Sequence, residues 1–69
     1  MSISYMKLWK LVIDKNMNKT QLRDRSGITS ASLARLGKNQ GVSLDVLERI
    51  CRALDCEIGD IIEFKEDEV

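Results

Sequence analysis

Ser30, Ala31, Ser32, Arg35 and Lys38 fall in one short stretch of this 69-residue chain. An arginine can donate two parallel N–H bonds to a flat pair of acceptors, and a serine hydroxyl can donate or accept. A lysine meets an anion as a point charge. The chemistry on offer is recognition rather than catalysis. The chain has no histidine, no glycine-rich phosphate cradle and no nucleophile with a base nearby, which argues against an enzyme. Cys51 and Cys56 have no histidine or third cysteine to complete a metal site. Cys51 lies on an apolar stripe and reads as core. No cofactor or small-molecule ligand is expected.

The elements that must position this stretch run from Asn18 to Asn39. Asn18 is a strong N-cap residue, and Gln21 stands three positions on, where a capping-box side chain reaches back. A helix from Lys19 to Ser26 follows, with Leu22 turned inward. Gly27 supplies a left-handed end, and Ile28 plugs the core. Thr29 caps a second helix, Ser30 to about Leu36, whose apolar side is Leu33 and Leu36. Gly37, Asn39 and Gly41 break the chain again. Helix, glycine turn and capped helix over residues 18–37 form a helix-turn-helix pattern. Its usual use is to lay the second helix in the DNA major groove. Arg35 would then offer guanine a bidentate pair and Ala31 would touch a thymine methyl, while Ser30 and Ser32 could donate or accept. Three small residues read few bases, so dimerisation and DNA shape must supply the remaining specificity.

The flanking segments supply the support. Tyr5, Leu8, Trp9 and Val12 follow the spacing of one helix face, widened by Leu11 and Ile13. This predicts a first helix from about Ser4 to Lys15, with Ser4 as a candidate cap, Asn16 at its left-handed end and Met17 packed behind it. Ser43 caps a fourth helix with Asp45 in its first turn. Leu44, Leu47, Ile50, Cys51 and Leu54 form its apolar stripe. Ile58 to Glu63 reads as a fifth short helix weakened by Gly59. The expected fold is therefore all-α, a single five-helix domain over residues 1–69, leaving room for a short strand at either end. Ile3–Tyr5 and Glu63–Lys65, if both extended, could pair within or between chains. Ile62 and Phe64 come late enough to serve either a dimer contact or intramolecular packing.

The formal net charge is zero, but its distribution is uneven. Residues 1–40 carry eight basic and two acidic side chains, and residues 41–69 carry three basic and nine acidic ones. The basic half coincides with the helix-turn-helix, as a nucleic-acid-binding face would. The acidic tail 63–69 is expected to fray. No membrane-spanning run or signal-peptide pattern is evident, so the expected address is cytoplasmic, without a membrane partner.

With these elements placed, the chain resembles the Cro/CI-type (XRE) helix-turn-helix family of phage repressors and bacterial regulators. The resemblance covers roughly Lys7 to Ile62 and is carried by LRDRSGITSASLARLGKN and VSLDVLERICRALDCEIGDII. It implies a phage-repressor-like DNA-binding domain. Lys19 sits where the family usually has a glutamine that touches a phosphate and braces the recognition helix. Arg23 replaces the alanine favoured where the two helices approach, so its side chain must turn outward. Ser26 replaces a leucine-like core residue. Ser30, Ala31, Ser32 and Arg35 fall at groove-facing positions, and Lys38, Asn39 and Ser43 where the loop and next helix meet phosphates. With Thr29 these make the expected DNA-binding set. The favoured reading is a repressor-like homodimer on double-stranded DNA. The competing one is a protein-interaction module, antitoxin-like or an adaptor, whose acidic second half binds a basic partner.

Overall fold

The computed structural model describes residues 2–66. The expectations that fell on Met1 and on the last three residues of the acidic tail lie outside them. The described chain runs through a strand β1 (Ser2–Ser4), helices α1 (Met6–Asp14), α2 (Lys19–Ser26), α3 (Ser30–Gly37) and α4 (Leu44–Leu54), a 3-10 turn (Ile58–Asp60) and a strand β2 (Glu63–Lys65).

The fold is mostly helical, with four helices and a small sheet rather than five helices. Ile58 to Glu63 does not hold a helix. It makes a single turn in which the Ile61 and Ile62 N–H groups both donate to the Ile58 carbonyl, at 3.1 and 3.2 Å. One turn fixes several dihedrals for few bonds, and Gly59 adds backbone entropy to that cost. Extension is favoured instead because β1 offers a ladder. The strands pair antiparallel, with Ser2 opposite Lys65, Ile3 opposite Phe64 and Ser4 opposite Glu63. The two terminal extended segments therefore pair within the chain. The same pairing delays α1. Ser4 is buried in β1, and α1 starts at Met6, although the Ser4 Oγ still accepts from the Met6 N–H at 3.3 Å.

The other helix ends follow local chemistry. Asn18 accepts from the Gln21 N–H, and the Gln21 side chain accepts from the Asn18 N–H, at 2.8 and 3.0 Å. Thr29 and Ser43 accept from the N–H groups of Ser32 and Val46. At their C-termini, α1, α3 and α4 pass through left-handed residues Asn16, Asn39 and Asp55, with φ of 57°, 55° and 51°. In each case the following residue donates back across the turn: Met17 to Val12, Gln40 to Arg35 and Cys56 to Cys51. This is the Schellman arrangement, built here without glycine. Gly37 remains helical, so the break after α3 falls at Asn39.

Tyr5, Leu8, Leu22, Leu36, Ile50, Leu54 and Ile61 are the large, fully buried side chains, and Val12, Met17, Ile28 and Leu47 complete the core. Ile13 and Leu44 do not join it, at 70% and 77% exposed. Ile13 follows Val12 round to the wet side of α1, and Leu44 opens α4 beyond the packed turns. Ile62 packs on the core, whereas Phe64 stays 68% exposed on β2.

Candidate nucleic-acid interface

The two helices of the motif are joined by Gly27 at φ 76°, whose N–H donates to the Arg23 carbonyl at 2.9 Å. A Cβ at Gly27 would stand 3.5 Å from Arg49 Nη1, an ordinary contact. The glycine therefore answers to backbone conformation and not to space. Leu22 and Ile28 bury on either side of the turn, and α2 packs mainly on α4. Ser26, where the resemblance has a leucine-like residue, is buried. Its Oγ donates to the Leu22 carbonyl at 2.6 Å, which satisfies the hydroxyl inside the helix.

Leu36 is fully buried and Leu33 partly so, which fixes the roll of α3. The exposed residues are then Ser30, Ala31, Ala34 and Arg35. Their spacing of i, i+1, i+4 and i+5 makes one outward face. Lys38 continues outward at the end of the helix. Ser32 is half-buried and sits against its cap, with Thr29 Oγ1 donating to Ser32 Oγ at 3.1 Å. The sequence reading missed Ala34, although the one-turn offset from Ser30 places it on this face. Arg35 and Lys38 make no ion pair among the described residues. Both charges are free to meet an anion.

Other expected site residues are committed within the chain. Asn39 Oδ1 accepts from the Tyr5 N–H at 3.1 Å, and the Tyr5 hydroxyl donates to the Gln40 carbonyl at 2.8 Å. The loop after α3 is thereby fastened to Tyr5 at the N-cap of α1. The Ser43 Oγ caps α4. The Lys19 ammonium lies over the Trp9 ring, 4.6 Å from its centroid, and a Cβ at Gly37 would stand 4.0 Å from it. Lys19 thus ties α2 to α1 and lies near the end of α3. Arg23, half-buried, turns outward as its position requires. Its Nη1 donates to Ser30 Oγ at 3.2 Å, and its Nε and Nη2 meet Asp24 Oδ1, both at 3.2 Å.

The profile of the Cro/C1-type HTH DNA-binding domain matches residues 7–67. The chain belongs to the Cro/C1-type helix-turn-helix family. An uncharacterised HTH-type transcriptional regulator of Bacillus subtilis strain 168, YozG, is 43% identical over 60 residues, covering 84% of this chain and 71% of the relative. The crystal structure of the transcriptional regulator VanUg superposes with a TM-score of 0.87 at 53% identity, covering 90% of this chain and 83% of that one. The helix-turn-helix is therefore a DNA-binding regulator's and not part of an enzyme. Within this family's frame, Cys51 and Cys56 serve packing. They are free thiols, each partly buried against the core. Burial pushes both up, Cys56 to about 11, so neither is an activated thiolate near neutral pH. Among the described residues, no helix is long and apolar enough to cross a membrane.

Proposed function

We propose that the chain is a sequence-specific, repressor-like transcriptional regulator that inserts α3 in the major groove of double-stranded DNA as a cytoplasmic homodimer. The observation that carries this is the outward face of Ser30, Ala31, Ala34 and Arg35, with small side chains around one unpaired arginine on a helix anchored by Leu36. Ser30, Ala31 and Arg35 are assigned to base edges, with Thr29 and Ser32 at the entry of the helix. Lys19, Lys38, Asn39 and Ser43 are assigned to the phosphates. Phosphate contacts make affinity salt-dependent. A dimer would span two half-sites about one DNA turn apart.

The test is fluorescence anisotropy against fragmented genomic DNA at two salt concentrations, with sequencing of what binds. Recovery of a short inverted repeat, lost with Arg35→Ala, is the expected result. Exposed Phe64 on β2, among Glu63, Lys65 and Glu66, favours the second reading, a protein-interaction module. Sequence-blind or absent DNA binding would decide for it.

A further inference from the structure

We propose that Arg23, outside the groove-facing set, sets the base preference of the recognition helix by making Ser30 a hydrogen-bond donor. The base edge facing Ser30 then presents an acceptor, guanine O6 or N7, adenine N7 or thymine O4, and not the amino group of adenine or cytosine. This rests on α3 lying in the major groove. A free serine hydroxyl can donate or accept, so it discriminates poorly between these edges. Ser30 is not free. A guanidinium has donors only, so the 3.2 Å contact from Arg23 Nη1 occupies a lone pair of Ser30 Oγ. The hydroxyl hydrogen is left to point elsewhere. The adjacent positive charge polarises that O–H and repels any amino hydrogen approaching Oγ.

The guanidinium is itself held in place. Asp24 Oδ1 takes both Nε and Nη2, at 3.2 Å each, so the third nitrogen is the one turned to Ser30. The rest of the face adds little acceptor capacity. Ala31 and Ala34 are apolar at their tips, Arg35 and Lys38 only donate, and Ser32 Oγ already accepts from Thr29. The face is biased towards donors, and Arg23 is the positioning residue that biases it.

Selection from randomised duplex DNA, with sequencing, tests this on the intact chain, Ser30→Ala, Arg23→Ala, Arg23→Lys and the double alanine variant. The position whose preference relaxes in Ser30→Ala identifies the base that Ser30 faces. Each base pair carries both acceptor and amino edges, so edge-altered bases placed there in the selected duplex decide between them. Removing an acceptor with 7-deazapurine, 6-thioguanine or 4-thiothymine should weaken binding by the unaltered chain, and removing the amino group with purine for adenine or 2-pyrimidinone for cytosine should not. Arg23→Ala should lower the penalty for removing that acceptor by roughly three- to tenfold, the scale of one hydrogen bond. Preferences elsewhere should hold, Arg23→Lys should keep part of the effect, and the double variant should add nothing to Ser30→Ala. A uniform loss of affinity in Arg23→Ala, with base preference intact, would mean that Arg23 supplies only charge and would overturn the proposal. Binding by the unaltered chain that weakens on loss of the amino group and not on loss of any acceptor there would overturn it while leaving groove reading in place. That outcome needs no arginine variant to fold. Absence of base preference at every position would remove the groove reading itself and this proposal with it.

Discussion

The two ends of α3 are fastened by different chemistry. At its start, Thr29, Ser32, Ser30 and Arg23 hold one another through hydroxyl, amide and guanidinium bonds among mostly exposed side chains. At its end, Leu36 is fully buried, and the loop that follows hangs on Tyr5, also fully buried, through Asn39 and Gln40. Exposed polar bonds contribute little to stability but fix directions, whereas a buried aromatic contributes much and fixes position. The helix is thus held in place at its exit and aimed at its entry. Changes at the buried anchors of the exit should register in folding, and changes at the exposed side chains in base choice.

The largest expected effect breaks the exit. Tyr5→Ala removes a fully buried ring together with the hydroxyl that holds the Gln40 carbonyl. A loss of about 3–5 kcal/mol is expected, which approaches the whole stability of so small a domain. Urea denaturation followed by circular dichroism reads it directly. A loss below about 1 kcal/mol would show that the exit is not core-anchored.

Next comes the outward face that these two fastenings present. Arg35→Ala should leave the urea midpoint almost unchanged, because the side chain is exposed and unpaired. Its cost should appear in DNA binding, about 1–3 kcal/mol on the selected site with relaxed preference at one position. Competition anisotropy with single-base variants measures both. A fall in stability without a change in base preference would remove Arg35 from the base-reading face.

A finer cut at the exit removes only the hydroxyl. Tyr5→Phe keeps the ring and leaves the Gln40 carbonyl without this donor, at a cost of about 1 kcal/mol. Its signature is the pH profile. Burial pushes the Tyr5 phenol above its ordinary 10.0. The folded chain therefore retains a proton that the unfolded chain gives up. That contribution is complete below pH 10 and is lost as pH rises past it. Thermal melts of Tyr5→Phe should show a flatter alkaline limb above pH 10. The Cys56 thiol, pushed from 9.0 to about 11 by burial first of all, adds a separate loss over pH 9 to 11 that Tyr5→Phe leaves in place.

The same contrast explains what could be read in the chain before its fold was known. The caps at Asn18, Thr29 and Ser43, the left-handed Gly27 and Asn16, and the inward Leu22 and Leu36 depend on neighbours within a few residues. They stand as the sequence implies. The fifth helix failed because the alternative to it was non-local. Nothing near Ile58 signals that a strand at the opposite end of the chain will pair with Glu63–Lys65. For the same reason Tyr5 was legible as core but not as the anchor of Asn39 and Gln40, more than thirty residues away. Arg23 was legible as a side chain that had to turn outward. Its choice of Ser30 depends on the angle between two helices, which spacing does not encode.

The smallest expected effect tests whether one residue serves both ends of the contrast. Lys19→Gln places the family's usual amide where a lysine now lies over Trp9. An exposed cation–π contact contributes about 0.5–1 kcal/mol, and its loss should lower the melting temperature slightly. Trp9 is the chain's only tryptophan, so its emission should report the departure of the ammonium. If Lys19 also meets a phosphate, the slope of log affinity against log salt should shallow by about 0.9. A changed emission with an unchanged slope would make Lys19 a brace between α1 and α2 and remove it from the DNA contacts. A shallower slope together with the emission change would make the brace and the phosphate contact one interaction. The ammonium's position would then be set by the indole before DNA arrives, and little ordering cost would remain on binding.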